Sequence, residues 1–104
     1  MRDLSLLKAE FFKALSHPLR IRILDELRDG EVGVNTLCDR LDAEQSTLSQ
    51  HLAVLRNRNL VTARKDGLNV LYSVADQEIF RLLDVAKKIF SKQLVGVSKI
   101  LRQL

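Results

Sequence analysis

Residues 33–57, GVNTLCDRLDAEQSTLSQHLAVLRN, contain two short segments whose apolar residues recur at helical spacing. The apolar residues of the first segment stand at i, i+3, i+4 and i+7 and so predict one stripe on a short helix; they are Val34, Leu37, Cys38 and Leu41. The second segment, from about residue 44 to 57, has leucines along one side. Because only Asp42-Ala43 separates the two, we predict a helix-turn-helix at about residues 33–57.

Two more helices precede this stretch, with a short break between them. Apolar residues at helical spacing predict the first helix over about residues 3–15. Residues 16–18 (SHP) end it, and the proline suits the start of the next helix because its missing N–H would be unpaired there. The second helix ends at residues 29–30 (DG), so the first 57 residues contain four predicted helices.

After residue 59 the pattern changes to that of β-strands. Residues 60–65 (LVTARK) and 70–74 (VLYSV) are rich in β-branched and aromatic side chains. Asp66-Gly67 between them is a hairpin signal. Because two strands alone are marginally stable, we expect this hairpin, about residues 60–74, to pack on the helices.

A long last helix is predicted from about residue 76 to residue 104. Its apolar residues alternate steps of four and three, a spacing typical of a seam between two helices. They are Ile79, Leu83, Ala86, Phe90, Leu94, Val97, Leu101 and Leu104. Gly96 leaves open whether the helix is continuous or kinked.

The composition suits one small folded domain. The chain has 104 residues, of which 46% are hydrophobic, and no linker or repeat divides residues 1–104. Its formal net charge of +4 favours an anionic partner such as nucleic acid or a membrane surface. The single cysteine cannot form an intramolecular disulfide, and no stretch is apolar for long enough to span a membrane. We therefore expect a cytoplasmic protein.

The predicted fourth helix has an outer face that is neutral and rich in hydrogen-bonding groups. When it is projected at about 100° per residue, its leucines fall on one side. The opposite side carries Ser46, Ser49, Gln50, Ala53 and Asn57, with Thr47 beside them. Ser, Thr and Asn are poor helix formers, so their concentration needs a reason. Contact with base edges in the major groove of DNA supplies one, although an ordinary polar helix face is the simpler alternative.

A basic segment follows that helix and favours the DNA interpretation. Residues 56–65 contain Arg56, Arg58, Arg64 and Lys65 but no acidic residue. These cations fall at the end of the helix and on the first strand of the hairpin, where phosphates would lie. A basic segment beside a helix-turn-helix and a hairpin predicts a winged helix. The fold class is therefore mainly α (α+β winged helix): four helices, a two-stranded β-hairpin wing and a long C-terminal helix.

At these residues the chain resembles the ArsR family of bacterial winged-helix repressors. The resemblance is carried by residues 17–27 (HPLRIRILDEL) and 48–74 (LSQHLAVLRNRNLVTARKDGLNVLYSV), and extends over nearly the whole chain. It implies a homodimer that binds operator DNA and usually releases it when an inducer binds. The inducer itself is not indicated. Two departures are that Glu44 stands where the family has a serine cap, and that the wing tip, Leu68-Asn69, is less basic than is common.

The resemblance assigns site residues to this chain. The recognition helix begins near Gln45, and the predicted base-contacting residues are Gln45, Ser46, Thr47, Ser49 and Gln50. The predicted phosphate or wing contacts are His51, Arg56, Arg58, Arg64, Lys65 and Asn69. The dimer interface is expected on the first and last helices, about residues 3–15 and 76–104. Its predicted residues are Leu4, Leu7, Phe11, Ile79, Leu83, Phe90 and Leu94.

Neither of the metal sites that many members of that family use is predicted here. One family site has closely spaced cysteines on the third helix, and the matching positions are Gly33, Asn35 and Cys38. A second uses Asp and His near the start of the last helix and two ligands about eleven and fourteen residues later. Here Asp76 and Glu78 are followed by an apolar residue and a cation, Ile89 and Lys92. Because soft-metal sites need several thiolate or imidazole ligands, we expect no metal and no cofactor.

Other functions remain as alternatives to a repressor. Cys38 could respond to oxidants, but its place on an apolar stripe and the lack of a second cysteine favour a packed side chain. A winged helix could also serve as a protein-interaction module. No catalytic set or phosphate-binding glycine loop is found, so we expect no enzyme activity. The cations of the last helix are more simply explained by a solvated face than by a membrane surface.

Overall fold

Residues 3–104, which the computed structural model describes, form five helices and a hairpin in the predicted order, together with one additional short strand. The helices are α1 (Leu4–Leu15), α2 (Pro18–Glu26), α3 (Val34–Leu41), α4 (Gln45–Asn57) and α5 (Glu78–Gln103). The strands are β1 (Val32–Gly33), β2 (Val61–Asp66) and β3 (Asn69–Val74). The mainly helical winged-helix class is therefore confirmed. No helix within residues 3–104 has the length and apolar character needed to cross a membrane.

The core is built from the apolar faces that the helical spacing predicted. Leucines of α3 and α4 meet Ile23 and Leu24 of α2, and the start of β2 and of α5 complete the cluster. Each leucine that is fully buried there stabilises the fold by about 1.5–3 kcal/mol. The buried residues are Ala14, Leu15, Ile23, Leu24, Leu27, Leu37, Leu41, Leu48, Leu52, Leu55, Leu60, Val61, Ile79 and Phe80. This packing fixes which side of α4 faces outward.

The sheet has three strands, which corrects the expected two-stranded hairpin. Val32 pairs with Tyr72 and Gly33 with Leu71, so β1 lies on the free side of β3 and the order is β1-β3-β2. A side chain at Gly33 would place its Cβ 3.3 Å from Leu71 Cδ2, so glycine allows the close approach. The strand was missed because two residues are too few to show a period of two.

The hairpin turn lies one residue later than Asp66-Gly67 predicted. Asp66 pairs with Asn69, which leaves Gly67 and Leu68 as the two central residues of the turn. Gly67 has a φ of +63°, a conformation that glycine adopts readily and other residues rarely. The hairpin of β2 and β3, residues 61–74, is the wing.

Side chains cap the starts of the first two helices. Asp3 accepts a hydrogen bond from the Ser5 N–H at the start of α1 (2.9 Å). His17 Nδ1 accepts one from the Leu19 N–H at the start of α2 (3.1 Å). Glu44 occupies the N-cap of α4 but its side chain makes no capping hydrogen bond.

The last helix, α5, is one continuous helix through Gly96. Its first turn is anchored, because Ile79 and Phe80 are buried in the core. Arg28, which follows the end of α2, holds the next turn through an ion pair with Asp84 (2.9 Å) and lies 5.1 Å from the centre of the Phe80 ring. The residues from Lys87 onward are exposed, so the second half of α5 leaves the body of the protein.

Cys38 is half-buried and packs against the core beside Leu37. We expect Cys38→Ser to lower the free energy of unfolding by about 1 kcal/mol, because it places a hydroxyl among apolar groups. Cys38→Ala is the matched control, since it removes the thiol without adding a hydroxyl and should cost less. Urea unfolding measures both. Full stability of both variants, together with a lost oxidant response, would instead support a redox role.

Candidate nucleic-acid interface

The α4 helix presents its polar side to solvent because its apolar side is held by the core. Leu48, Leu52 and Leu55 are fully buried. All five residues that were predicted to contact bases lie on the exposed surface: Gln45, Ser46, Thr47, Ser49 and Gln50. None of these five side chains forms a hydrogen bond to another part of residues 3–104. Their donors and acceptors are therefore available to a ligand.

His51 lies at the edge of this polar face and packs on the N-cap residue of α2. Its ring centroid is 4.1 Å from that of His17, and the two ring planes are inclined by 40°. Burial lowers the pKa of His51 below its ordinary value, and the nearby His17 and Arg20 lower it further. His17 Nδ1 accepts the capping hydrogen bond from the Leu19 N–H at the start of α2. The structure therefore places His51 in packing with His17, next to α4's exposed face.

Of the cations that were predicted to contact phosphate, some form an ion pair with an acidic side chain and others do not. Arg58, at the end of α4, forms an ion pair with Glu10 of α1 (3.4 Å). Arg64 of β2 forms one with Glu31 (2.6 Å). Arg56 and Lys65 are exposed and form no ion pair within residues 3–104. The two acidic partners were not predicted, because they lie 48 and 33 residues away along the chain.

The positive charge of the chain is concentrated away from the helix-turn-helix. Residues 85–104 contain five Lys and Arg and no Asp or Glu: Lys87, Lys88, Lys92, Lys99 and Arg102. The remaining 84 residues contain 12 Lys and Arg against 13 Asp and Glu, which is a formal charge of −1. The net positive charge therefore comes from the last helix and not from α4 and the wing.

The predicted dimer residues fall into two groups. Leu4 and Leu94 are 63% and 65% exposed, and Leu7 and Phe90 are exposed as well. Phe11 and Leu83 are half-buried against the core, and Ile79, at 7% exposure, belongs to the core of its own protomer. Ile79 thus has little surface left for a partner. Further exposed apolar residues on the same helices were not predicted: Leu6, Phe12, Val85, Ile89, Val95 and Ile100.

A groove of about 800 Å³ runs between α2 and α5, beside the exposed apolar residues. Ile21, Leu83, Phe90 and Leu94 form its apolar wall. Among residues 3–104, no three His, Cys, Asp or Glu side chains stand close enough together to hold a metal ion.

Comparison with known proteins agrees with this architecture. The family model described as bacterial regulatory protein, arsR family, matches residues 17–63. The chain is 47% identical over 100 residues to the HTH-type transcriptional regulator Rv0081 of Mycobacterium tuberculosis, which covers 94% of this chain and 87% of that protein. The crystal structure of Rv0081 matches with a TM-score of 0.83 at 44% identity, and covers 92% of this chain and 97% of that one.

A second solved structure is a homodimeric winged helix-turn-helix DNA-binding domain, fragment 1–100 of Mb0332 from Mycobacterium bovis. It matches with a TM-score of 0.77 at 30% identity, and covers 88% of this chain and 84% of that one.

The lowered pKa of His51 predicts a loss of stability in acid. Burial favours the neutral imidazole, so the pKa of His51 is lower in the folded than in the unfolded protein. The free energy of unfolding is therefore not reduced by His51 above the unfolded pKa of about 6.5. It falls as the pH drops from there through the folded pKa. His51→Gln should make the decline in unfolding free energy between about pH 7 and pH 5 shallower. Urea unfolding across this range tests it. An unchanged slope would contradict the role given to His51.

Proposed function

The chain belongs to the ArsR family of bacterial regulatory proteins and is a helix-turn-helix DNA-binding transcriptional regulator rather than an enzyme, and on this premise we propose that it is a dimeric repressor that binds a palindromic operator through α4. The observation that carries the proposal is the outer face of α4. That face is exposed and neutral, its side chains form no hydrogen bond within residues 3–104, and its Ser and Thr residues favour a helix poorly.

The chemistry of this face suits contact with base edges in the major groove. A glutamine such as Gln50 can bridge the N6 and N7 atoms of adenine, which no other base presents in the same pattern. Ser46 and Ser49 are short enough to let the helix approach and can donate to or accept from several bases. Small side chains at these positions support deep insertion of the helix. Sequence selectivity is therefore assigned to the first two turns of α4.

The contacts to phosphate are assigned to cations around that helix. Arg56 and Arg58 stand at its C-terminal end, and Arg64 and Lys65 on β2, which packs directly against α4. Two further side chains, Asn69 at the wing turn and His51 on the flank of α4, are proposed to add hydrogen bonds to phosphate rather than positive charge. Contacts of this type position a protein on DNA without selecting a sequence. We assign the cations to that positioning role.

The dimer is proposed to form through α1 and the second half of α5. Leu4 and Leu7 on α1, with Phe90 and Leu94 on α5, are apolar side chains that one protomer leaves in water. A two-fold axis through these helices would place two copies of α4 on one side of DNA. Because a symmetric dimer binds two half-sites, the operator should be an imperfect palindrome with half-sites about one helical turn, or a multiple of it, apart.

The proposal includes no metal sensing through the two usual family sites. Gly33 and Asn35 offer no thiolate beside Cys38, and Ile89 and Lys92 supply an apolar group and a cation in place of two ligands. Neither set can complete the coordination of a soft metal ion. A signal that acts on this protein would then need another site.

Replacement of Gln50 tests the base-contacting role. Fragments selected by the full-length protein from genomic DNA should share a palindrome, and Gln50→Ala should relax the preference at one or two of its positions. The expected loss is about 1–3 kcal/mol for a bidentate contact to adenine. Fluorescence anisotropy on single-base variants of the selected duplex measures it. Gln77→Ala, which removes an exposed glutamine at the start of α5, is the matched control and should leave both sequence preference and affinity unchanged.

Two outcomes would contradict the proposal. An unchanged preference in Gln50→Ala would show that this residue does not select bases. Binding of the wild-type protein with no preference among fragments, at physiological salt, would favour a protein-interaction module instead.

A charged residue in the proposed interface should dissociate the dimer. We expect Leu94→Glu to change the mass in sedimentation equilibrium from that of a dimer to that of a monomer at micromolar concentration, because a buried unpaired carboxylate is costly. The matched control is Leu68→Glu, which places the same change on the fully exposed turn of the wing. It should remain a dimer. A dimer in both variants would place the interface elsewhere.

A further inference from the structure

Glu31 and Arg64 form a two-pronged ion pair on the surface of the wing. Arg64 donates from Nε to Glu31 Oε2 and from Nη2 to Oε1, and both distances are 2.6 Å. It is the shortest ion pair among residues 3–104. The parallel geometry is the strongest arrangement between an arginine and a carboxylate. The Arg64 guanidinium also lowers the pKa of the Glu31 carboxyl group, which therefore stays charged at neutral pH.

The pair joins the wing to the segment that leads into the helix-turn-helix. Arg64 lies in β2 opposite Leu71 of β3. Glu31 precedes β1, which pairs with the other side of β3. The ion pair therefore bridges the two outer strands of the sheet. Both side chains remain accessible, Arg64 at 59% and Glu31 at 31% of the side-chain surface, so a phosphate could reach the guanidinium.

Glu31 removes the positive charge that the sheet would otherwise present. Residues 31–33 and 61–74 contain two cations, Arg64 and Lys65, and two acids, Glu31 and Asp66. Their formal charge is zero, and it would be +1 without Glu31. Sequence-independent affinity for DNA comes from cations that displace counterions from phosphates. An arginine already bound to a carboxylate displaces fewer of them, and the carboxylate itself repels the phosphates.

We propose that Glu31 is a specificity-determining residue, which restrains Arg64 and weakens binding to DNA of any sequence, so that stable binding depends on the base contacts of α4. This inference rests on the proposed function. Glu31 makes no base contact in this scheme. It acts on selectivity by lowering the competing affinity for the rest of the DNA.

The test is Glu31→Gln in the full-length protein, which removes the charge and keeps the size of the side chain. Affinity is measured for a duplex of random sequence and for the duplex that the wild-type protein selects, from about 0.05 to 0.3 M salt. We expect the affinity for random DNA to rise roughly threefold to tenfold at about 0.1 M salt, with a salt dependence steeper by up to about 0.9, the effect of one more phosphate contact. Affinity for the selected duplex should rise less, so the ratio of the two should fall.

Two further variants separate the ion pair from net charge. Glu78→Gln breaks the pair with Arg81 on α5 (3.2 Å) and changes the net charge equally, but it should leave binding to random DNA unchanged. In an Arg64→Gln background, Glu31→Gln should have little additional effect, because Glu31 acts through Arg64. Thermal unfolding of each variant confirms that it is folded, and Glu31→Asp, which keeps the charge, should bind random DNA as weakly as the wild type.

Three results would overturn the inference. They are an unchanged or weaker affinity of Glu31→Gln for random DNA, an equal rise in Glu78→Gln, or a rise that persists without Arg64. A weaker affinity would show that Glu31 instead holds Arg64 in place for a phosphate. If the wild-type protein binds a palindrome selectively and Glu31→Gln changes nothing, this inference alone fails. If the wild-type protein shows no sequence preference, the proposed function fails with it.

Discussion

The burial of the α4 leucines against α2 and α3 is the constraint on which the rest of the molecule depends. Leu48, Leu52 and Leu55 are fully buried, and Leu37 of α3 belongs to the same core cluster. With these side chains inside, the rotation of α4 about its axis is fixed. The serines and Gln50 face solvent because they lie on the side of α4 opposite the buried leucines. A change that loosened this packing would disturb the polar face without altering any residue on it.

The sequence predicted most of this arrangement because helical periodicity is a local signal. It identified the helix-turn-helix and the outward face of α4 from spacing, and the hairpin from β-branched residues and a turn signal. Features that depend on distant pairing were not visible. The two residues of β1 become a strand only because β3 lies beside them, and Glu31 meets Arg64 only after the sheet has formed. Ile79 fits the periodic stripe of α5 as well as Leu94 does, but only tertiary packing shows that the core already covers it.

The positions of the charged residues, more than the net charge, determine how strongly the α4 surface attracts DNA. The overall value of +4 suggested nucleic acid, yet the surplus lies in residues 85–104. Around α4, Arg58 and Arg64 each have an acidic partner. A DNA-binding surface of this kind would attract any duplex weakly. Its affinity would then depend more on hydrogen bonds to bases, which agrees with the neutral composition of the α4 face.

The second half of α5 gives the strongest physical reason for a second copy of the chain. It contributes little to the core of its own protomer, yet it carries Phe90, Leu94, Val97 and Leu101 in contact with water. A lone helix of this length is marginally stable, since most helical stability comes from packing of an apolar face. Its five cations have no acidic residue among residues 85–104 to offset them, so apolar packing rather than charge pairing would hold the two helices together in the proposed dimer. The polar side of α5 would then stay in solvent, and the same contact that completes the helix would also set the spacing of the two α4 helices.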